Sequence, residues 1–276
     1  MPDFTLSTYQ KLLKTLISRG FSFLTFEEMG NNSIDNVIVL RHDVDALPEN
    51  SLQFARIEAE KGIKGTYYFR VVQNSFDENI ICEIASLGHE IGYHYEDMGA
   101  MAQTTFAKAS VFKGHEGATA EEKLAELAII SFKGNLTKLR QLVPVKTICM
   151  HGNPMSRWDS RLLWKYYDYH DFGIVGEPYF DTDFNEVMYL TDTGRRWNGD
   201  AVNIRDKAEG NPAPFQKFHS TSDIIKAANQ GLLPDKIMIT FHPQRWTDKP
   251  VLWVKELVWQ NVKNVGKYLI IKTRIK

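Results

Sequence analysis

Cysteine is scarce in this chain of 276 residues: only Cys82 and Cys149 occur, and no pairing motif surrounds either. That excludes a small disulfide-stapled scaffold and leads us to expect a reducing compartment. A charge excess is missing too. The formal net charge is -1, so there is no basic field to hold a phosphate backbone, and no nucleic-acid partner is expected. No apolar run is long enough to span a bilayer. The opening Met1-Pro2-Asp3-Phe4-Thr5 lacks the basic-then-apolar pattern of an export signal, so a cytoplasmic location is the expectation. Repeats, low-complexity tracts and obvious linkers are absent, and we expect one unit over residues 1–276. What is present suits a soluble globular protein: 43% hydrophobic and 24% charged residues, in a chain long enough to bury a large core without cross-links.

Periodicity supplies the elements. Tyr9, Leu12, Leu13, Leu16 and Ile17 fall at helical spacing between Ser7 and Arg19, and Gly20 offers a C-cap. Val37-Ile38-Val39-Leu40 is the kind of short apolar run that forms a strand buried on both faces. A helix from Pro48 to Lys61, a run at Thr66–Phe69, a helix from Glu78 to Ser86 and a run at Glu90–His94 come next in alternation. Alternation of this kind predicts βαβ units and a parallel sheet. Residues 104–118 read as a loop. Thr119, with Glu121 and Glu122 behind it, marks the start of a helix reaching Leu142. Later runs at Thr147–Met150, Phe172–Val175, Val187–Leu190 and Ile237–Phe241 predict further strands. Trp197–Pro214 reads as a long polar loop, Thr221–Gly231 and Val251–Val265 as helices, and Tyr268–Ile271 as a final strand.

The polar residues at the carboxyl end of each apolar run carry more information. The runs lead in turn into Arg41-His42-Asp43-Val44-Asp45, Arg70, His94-Tyr95-Glu96-Asp97, His151, Glu177, Asp192 and His242. In a parallel barrel all carboxyl ends of strands gather on one rim, where active sites are built. Asp43 and Asp45, two residues apart on extended backbone, point to one side, while His42 and Val44 point to the other. Two carboxylates so close repel unless a cation sits beside them or one keeps a proton. His94 faces the same rim and is a candidate metal ligand. Glu96 is a candidate ligand or partner of a ligand. His151 is a candidate for either metal or substrate, and His242 for a general acid. His89 reads as structural; His115, His170 and His219 read as surface or packing residues.

Three of these segments carry a family likeness: Arg41–Asp45, Gly88-His89-Glu90-Ile91-Gly92-Tyr93-His94 and Ile239-Thr240-Phe241-His242-Pro243. Their order and content resemble the NodB-type polysaccharide deacetylases over roughly residues 37–246. The resemblance implies an α/β fold, a distorted (β/α) barrel. The helix at 7–19 and the helix near the end of the sequence would pack on that core. It also implies a divalent metal, often zinc, and removal of an acetyl group from an N- or O-acetylated sugar. By that likeness Asp43 matches the catalytic base, Asp45 the metal aspartate, His94 the first metal histidine and His242 the catalytic acid. The family carries two adjacent aspartates; here Val44 separates them, which leaves open which one binds metal. The family's second metal histidine lies four residues after the first, and Met98 stands there, a poor ligand for a hard or borderline cation. His151, Glu96 and Asp97 are the candidates to complete the site. His151 is chosen, because one carboxylate and two imidazoles leave an open position.

Trp197 and Trp246 are the first choices for stacking on a sugar face, and Arg195 for contacting an anionic substrate. Two other readings stand beside the deacetylase. One is a metal amidohydrolase of a small cyclic amide or ureide; the other is a non-catalytic carbohydrate-binding protein on the same fold, a reading that rests on Met98.

Overall fold

The computed structural model describes residues 2–30, 35–106, 119–152, 156–197 and 218–274. In chain order the elements are α1 (Leu6–Ser18), β1 (Ser22–Leu24), α2 (Phe26–Met29), β2 (Val37–Val44), α3 (Pro48–Ala59), β3 (Thr66–Phe69), α4 (Glu78–Ser86), β4 (Glu90–Tyr95), α5 (Asp97–Phe106), α6 (Ala120–Arg140), β5 (Ile148–Met150), α7 (Pro178–Asp181), β6 (Met188–Thr191), α8 (Thr221–Asn229), β7 (Lys236–Phe241) and α9 (Pro250–Arg274). Local chemistry sets the helix starts. The Thr5 side chain accepts from the Thr8 amide, Asp77 from that of Ile80, and capping boxes form at Thr119–Glu122 and Ser220–Asp223.

All strand pairs are parallel, in the order β5-β4-β3-β2-β7-β6. β1 lies against the first half of β2, pairing Ser22 with Val37, while β3 takes the second half of the same edge, pairing Arg41 with Thr66. β2 is buried along its whole length, as expected for the central strand of a sheet covered on both faces. The sheet is strongly curled. β5 and β2 are three strand spacings apart, roughly 14 Å on a flat sheet. Yet His151, just after β5, reaches Asp45, just after β2, at 3.4 Å. Such curl is what makes this α/β fold a distorted, open (β/α) barrel, with every strand's carboxyl end on one rim.

Helices close over a core containing Leu12, Leu16, Ile38, Leu40, Phe54, Phe132, Ile239 and Phe241. Within it lies a polar knot. Glu58 on α3 accepts hydrogen bonds from the Tyr9 and Tyr67 hydroxyls, the latter at 2.9 Å, and lies 2.8 Å from His42 Nε2 and 3.5 Å from His89 Nδ1. Burial would raise the Glu58 carboxyl, but His42, His89 and Tyr9 outweigh it and hold it below the usual range.

Three sequence expectations are corrected. Phe172–Val175 is no strand: a 3₁₀ turn over Tyr169–Phe172 ends at Gly173 with φ +67°, and only an isolated bridge joins Thr147 to Gly176. Tyr268–Ile271 lies inside α9, because a short apolar run cannot by itself distinguish strand from buried helix. The loop expected from 104 begins later, since α5 runs to Phe106. The rest of that loop, residues 107–118, and the stretch 198–214 of the other long loop lie outside the described residues, as does His115.

Candidate metal centre and its flanking residues

The extended backbone of β2 turns alternate side chains to opposite sides. His42 and Val44 enter the core, while Arg41 and Asp43, with Asp45 just beyond the strand, face the rim. Asp45 Oδ1 lies 3.6 Å from His94 Nε2 and 3.4 Å from His151 Nε2, and these three ligand atoms lie within 4.8 Å of one another. The orientation of each imidazole is fixed from behind. His94 Nδ1 lies 2.9 Å from the Cys149 carbonyl, and His151 Nδ1 lies 2.9 Å from Glu96 Oε2. Each Nδ1 therefore holds the proton, and each Nε2 turns a lone pair inward. Asp45 Oδ1 is buried and makes no hydrogen bond.

One carboxylate and two imidazole lone pairs facing one another make a donor set that a divalent cation fits. Burial alone would raise the Asp45 carboxyl, but the charges of His151, His242 and His94 hold it well below the usual carboxylate range. Burial would lower His94; the negative charge of Asp43 and Asp45 outweighs it, and the net direction is up.

A second possible donor set, Asp43, His94 and Cys149, shares His94. Asp43 is already engaged. Arg41 grips it through two bonds, Nε to Oδ1 at 2.8 Å and a terminal nitrogen to Oδ2 at 2.7 Å. A metal ligated by Asp43 would face that guanidinium, so of the two carboxylates Asp45 is the freer to meet a cation, with Asp43 beside it, 3.8 Å from His94 Nε2. Arg41 also donates to the Tyr179 hydroxyl at 3.2 Å, which fixes the arginine in turn.

Across the site His242 comes directly after β7. Its Nδ1 lies 2.6 Å from Asp192 Oδ1, and its Nε2 points inward, 3.9 Å from Asp45 Oδ2. Asp192, at the end of β6, is fully buried. It also accepts from the Trp246 indole at 2.6 Å and from Arg245 at 3.2 Å. Burial would raise it, but His242, Arg245 and Trp246 hold it below the usual range. Glu96, besides orienting His151, pairs with Arg70 at 2.5 Å. Burial is outweighed there by His151 and Arg70, and the carboxyl falls to about 2. Glu177 accepts from the Met150 amide at 3.0 Å and so pins the end of β5 one residue before His151. Burial, only partly offset by hydrogen bonds and by Arg41, pushes its carboxyl up to about 7.

The structure thus brings together Asp43, Asp45, His94, His151 and His242. Met98 is fully buried in the core, and Asp97 turns away to the Tyr93, Ser131 and Asn135 side chains. The three proposed substrate contacts are corrected. Trp246 is 1% and Trp197 3% exposed, their rings packed with Phe241, so neither offers a face to a sugar. Arg195 is sandwiched at 4.4 Å over Trp253 and 5.2 Å over Phe4, where it supports α9. His89 is structural: its Nδ1 accepts from the Gly65 amide and its Nε2 donates to the Ala55 carbonyl, both at 3.0 Å. His170 and His219 are exposed.

Sequence reasoning gave no role to Arg41 or Asp192. Arg41 was readable from its i−2 position on the same strand face. Asp192 had only its place at a strand end.

No family model matches the chain, and no curated protein matches it. Among solved structures it is similar to three family 4 carbohydrate esterase folds. One is a CE4 family pseudoenzyme from Bacillus anthracis (TM-score 0.41, 11% identity, 86% of this chain and 63% of that one). Another is the Xyl-CE4 domain of a multidomain xylanase from the hindgut metagenome of Trinervitermes trinervoides (TM-score 0.39, 13% identity, 83% of each chain). The third is a family 4 carbohydrate esterase from Streptomyces lividans in complex with acetate (TM-score 0.37, 12% identity, 82% of this chain and 88% of that one). The chain thus spans a little under two thirds, 63%, of the first of these proteins.

Proposed function

We propose that this chain is a metal-dependent hydrolase that removes an acetyl group from an acetylated sugar or glycan precursor. One observation carries the reading: an unpartnered, buried Asp45 oxygen faces two imidazole lone pairs, with an arginine-held aspartate on one side and an aspartate-backed histidine on the other. The sugar and its acetyl group come from the motif resemblance. Asp45, His94 and His151 would hold a divalent cation, zinc by that resemblance, which when bound would supply Lewis-acid polarisation of the acetyl carbonyl.

The chain's own residues do the proton work. Asp43, fixed by the two bonds from Arg41, accepts a proton from the attacking water as the water oxygen bonds to the acetyl carbon. His242 gives the proton on Nε2 to the departing sugar nitrogen or oxygen as the acyl bond breaks. Asp192 holds Nδ1–H and balances the imidazolium before that transfer, an aspartate–histidine arrangement familiar from acyl-transfer enzymes. The products are acetate and the free amine or hydroxyl. The non-catalytic reading rested on Met98; His151, arriving from β5, supplies a second imidazole without it.

The test combines metal analysis with acetate release from N-acetylglucosamine oligosaccharides and acetylated xylan. Wild-type protein should bind one zinc, cobalt, nickel or manganese ion and release acetate. Asp43→Asn should keep the metal and lose turnover by at least about a hundredfold, the scale of one general base. A protein that takes up none of these metals, or an Asp43→Asn variant with undiminished turnover, defeats the reading.

A further inference from the structure

We infer that α9 is a docking surface for an anionic lipid bilayer, lying in the plane of the membrane interface. The helix is packed in reverse of the usual amphipathic arrangement. The side against the rest of the chain is partly polar: Gln260 and Asn264 are 3% and 5% exposed. They bond to each other at 3.0 Å, and Asn264 donates to the Gly194 carbonyl at 2.8 Å. Trp253 on the same side stacks on Arg195. On the opposite side Val251, Val254, Val258, Val262 and Val265 recur at three- and four-residue steps and form one stripe, each between 52% and 80% exposed. Leu252 and Trp259 flank it. These seven are more than half of the large exposed hydrophobics among the described residues, so the apolar surface is concentrated on one helix.

Charge selects the occupant. Residues 250–276 contain Lys255, Lys263, Lys267, Lys272, Arg274 and Lys276 against Glu256 alone, a net of +5; the whole chain is -1, so residues 1–249 carry -6. Lys255 lies in the valine stripe, and Lys263 sits over the Trp259 ring at 5.4 Å. A second copy of the helix would bring lysine against lysine. An anionic headgroup layer instead accepts the valines and the tryptophan at its acyl boundary and pairs with the cations. No helix among the described residues is long and apolar enough to cross a membrane, so the helix lies on the bilayer. It is anchored on the Thr193–Arg195 turn, which comes directly after Asp192, so docking and the site share one supporting segment. The inference does not depend on the hydrolase reading.

The experiment is co-sedimentation of the full chain with phosphatidylcholine vesicles, with and without phosphatidylglycerol, at low and high salt. Wild type should pellet with the phosphatidylglycerol vesicles at low salt and be released by high salt. Lys255→Gln and Lys263→Gln should each weaken binding about fivefold, and Val258→Asp with Val262→Asp should abolish it. Both sites are exposed, and unchanged circular dichroism would confirm that these variants fold. Absence of wild-type pelleting on any vesicle overturns the proposal. So does a concentration-dependent dimer, seen by ultracentrifugation and broken by Val258→Asp, in a protein that ignores lipid.

Discussion

Glu96 touches neither substrate nor cation in the arrangement described, yet it decides which nitrogen His151 presents. In Glu96→Gln only one oxygen remains, and Arg70, which donates to Glu96 Oε1, claims it, so the amide NH2 faces His151 Nδ1. His151 then accepts at Nδ1, and its proton moves to Nε2, aimed at the proposed cation position. We expect metal affinity to fall about 10- to 100-fold with the fold intact, measured by competition against a chelating dye; unchanged affinity would remove Glu96 from this role. A second residue-scale expectation concerns Asp97. Burial raises its carboxyl to about 6, despite hydrogen bonds from Ser131, Tyr93 and Asn135 that pull it down. Because the folded value lies above the unfolded one, its contribution to stability is complete below about pH 4 and fades as pH climbs through about 6. The loss is worth about 3 kcal/mol at most. Asp97→Asn should flatten urea-derived stability over that window, and a variant with the wild-type slope would refute the assignment.

At the scale of elements, close packing of β3 against β4 sets the floor of the site. Tyr68 and Gly92 are register partners, and a Cβ on Gly92 would lie 2.3 Å from the Tyr68 ring and 3.0 Å from the Thr147 carbonyl. Gly92→Ala has to displace that ring, on which Arg41 also lies, and overpacking of this kind costs about 1–3 kcal/mol. Urea denaturation should show that loss, with turnover falling as the Arg41–Asp43 grip shifts; a variant as stable as wild type would mean that the strands separate freely. Legibility also divides by element. β2, β3, β4 and β7 were readable because apolar β-rich runs bounded by polar residues have one good solution in a parallel sheet. Phe172–Val175 and Tyr268–Ile271 have the same local composition, but Gly173 breaks the first, and the helix of which the second is a part continues through it. The proposed ligands were readable because each lies at or just past the carboxyl end of a strand. The depth of Trp197 and Trp246 was not, since an indole in a connecting segment suits core and surface equally until the tertiary contacts are known.

For the whole molecule, the proposed cation site and the core are separable supports. Asp45, His94 and His151 arrive from β2, β4 and β5, so a cation held by them would tie three strands together across the curl. The Glu58 knot, beneath the same sheet, joins α1, α3, β2 and β3 without any cation. Removing metal should therefore leave the chain folded but less stable. A ligand that binds only the native state adds about 2.7 kcal/mol when free at a hundred times its dissociation constant. At roughly 2–4 °C per kcal/mol for a chain near this size, zinc should raise the thermal midpoint of chelator-treated protein by about 5–10 °C. His151→Ala removes one of the three donors while leaving the Glu58 knot in place, so its midpoint should barely respond to the same zinc. Calorimetry with and without zinc decides the matter. An equal rise in both proteins would place the stabilising cation elsewhere, and collapse of the chelated wild type would mean that the sheet cannot hold its curl alone.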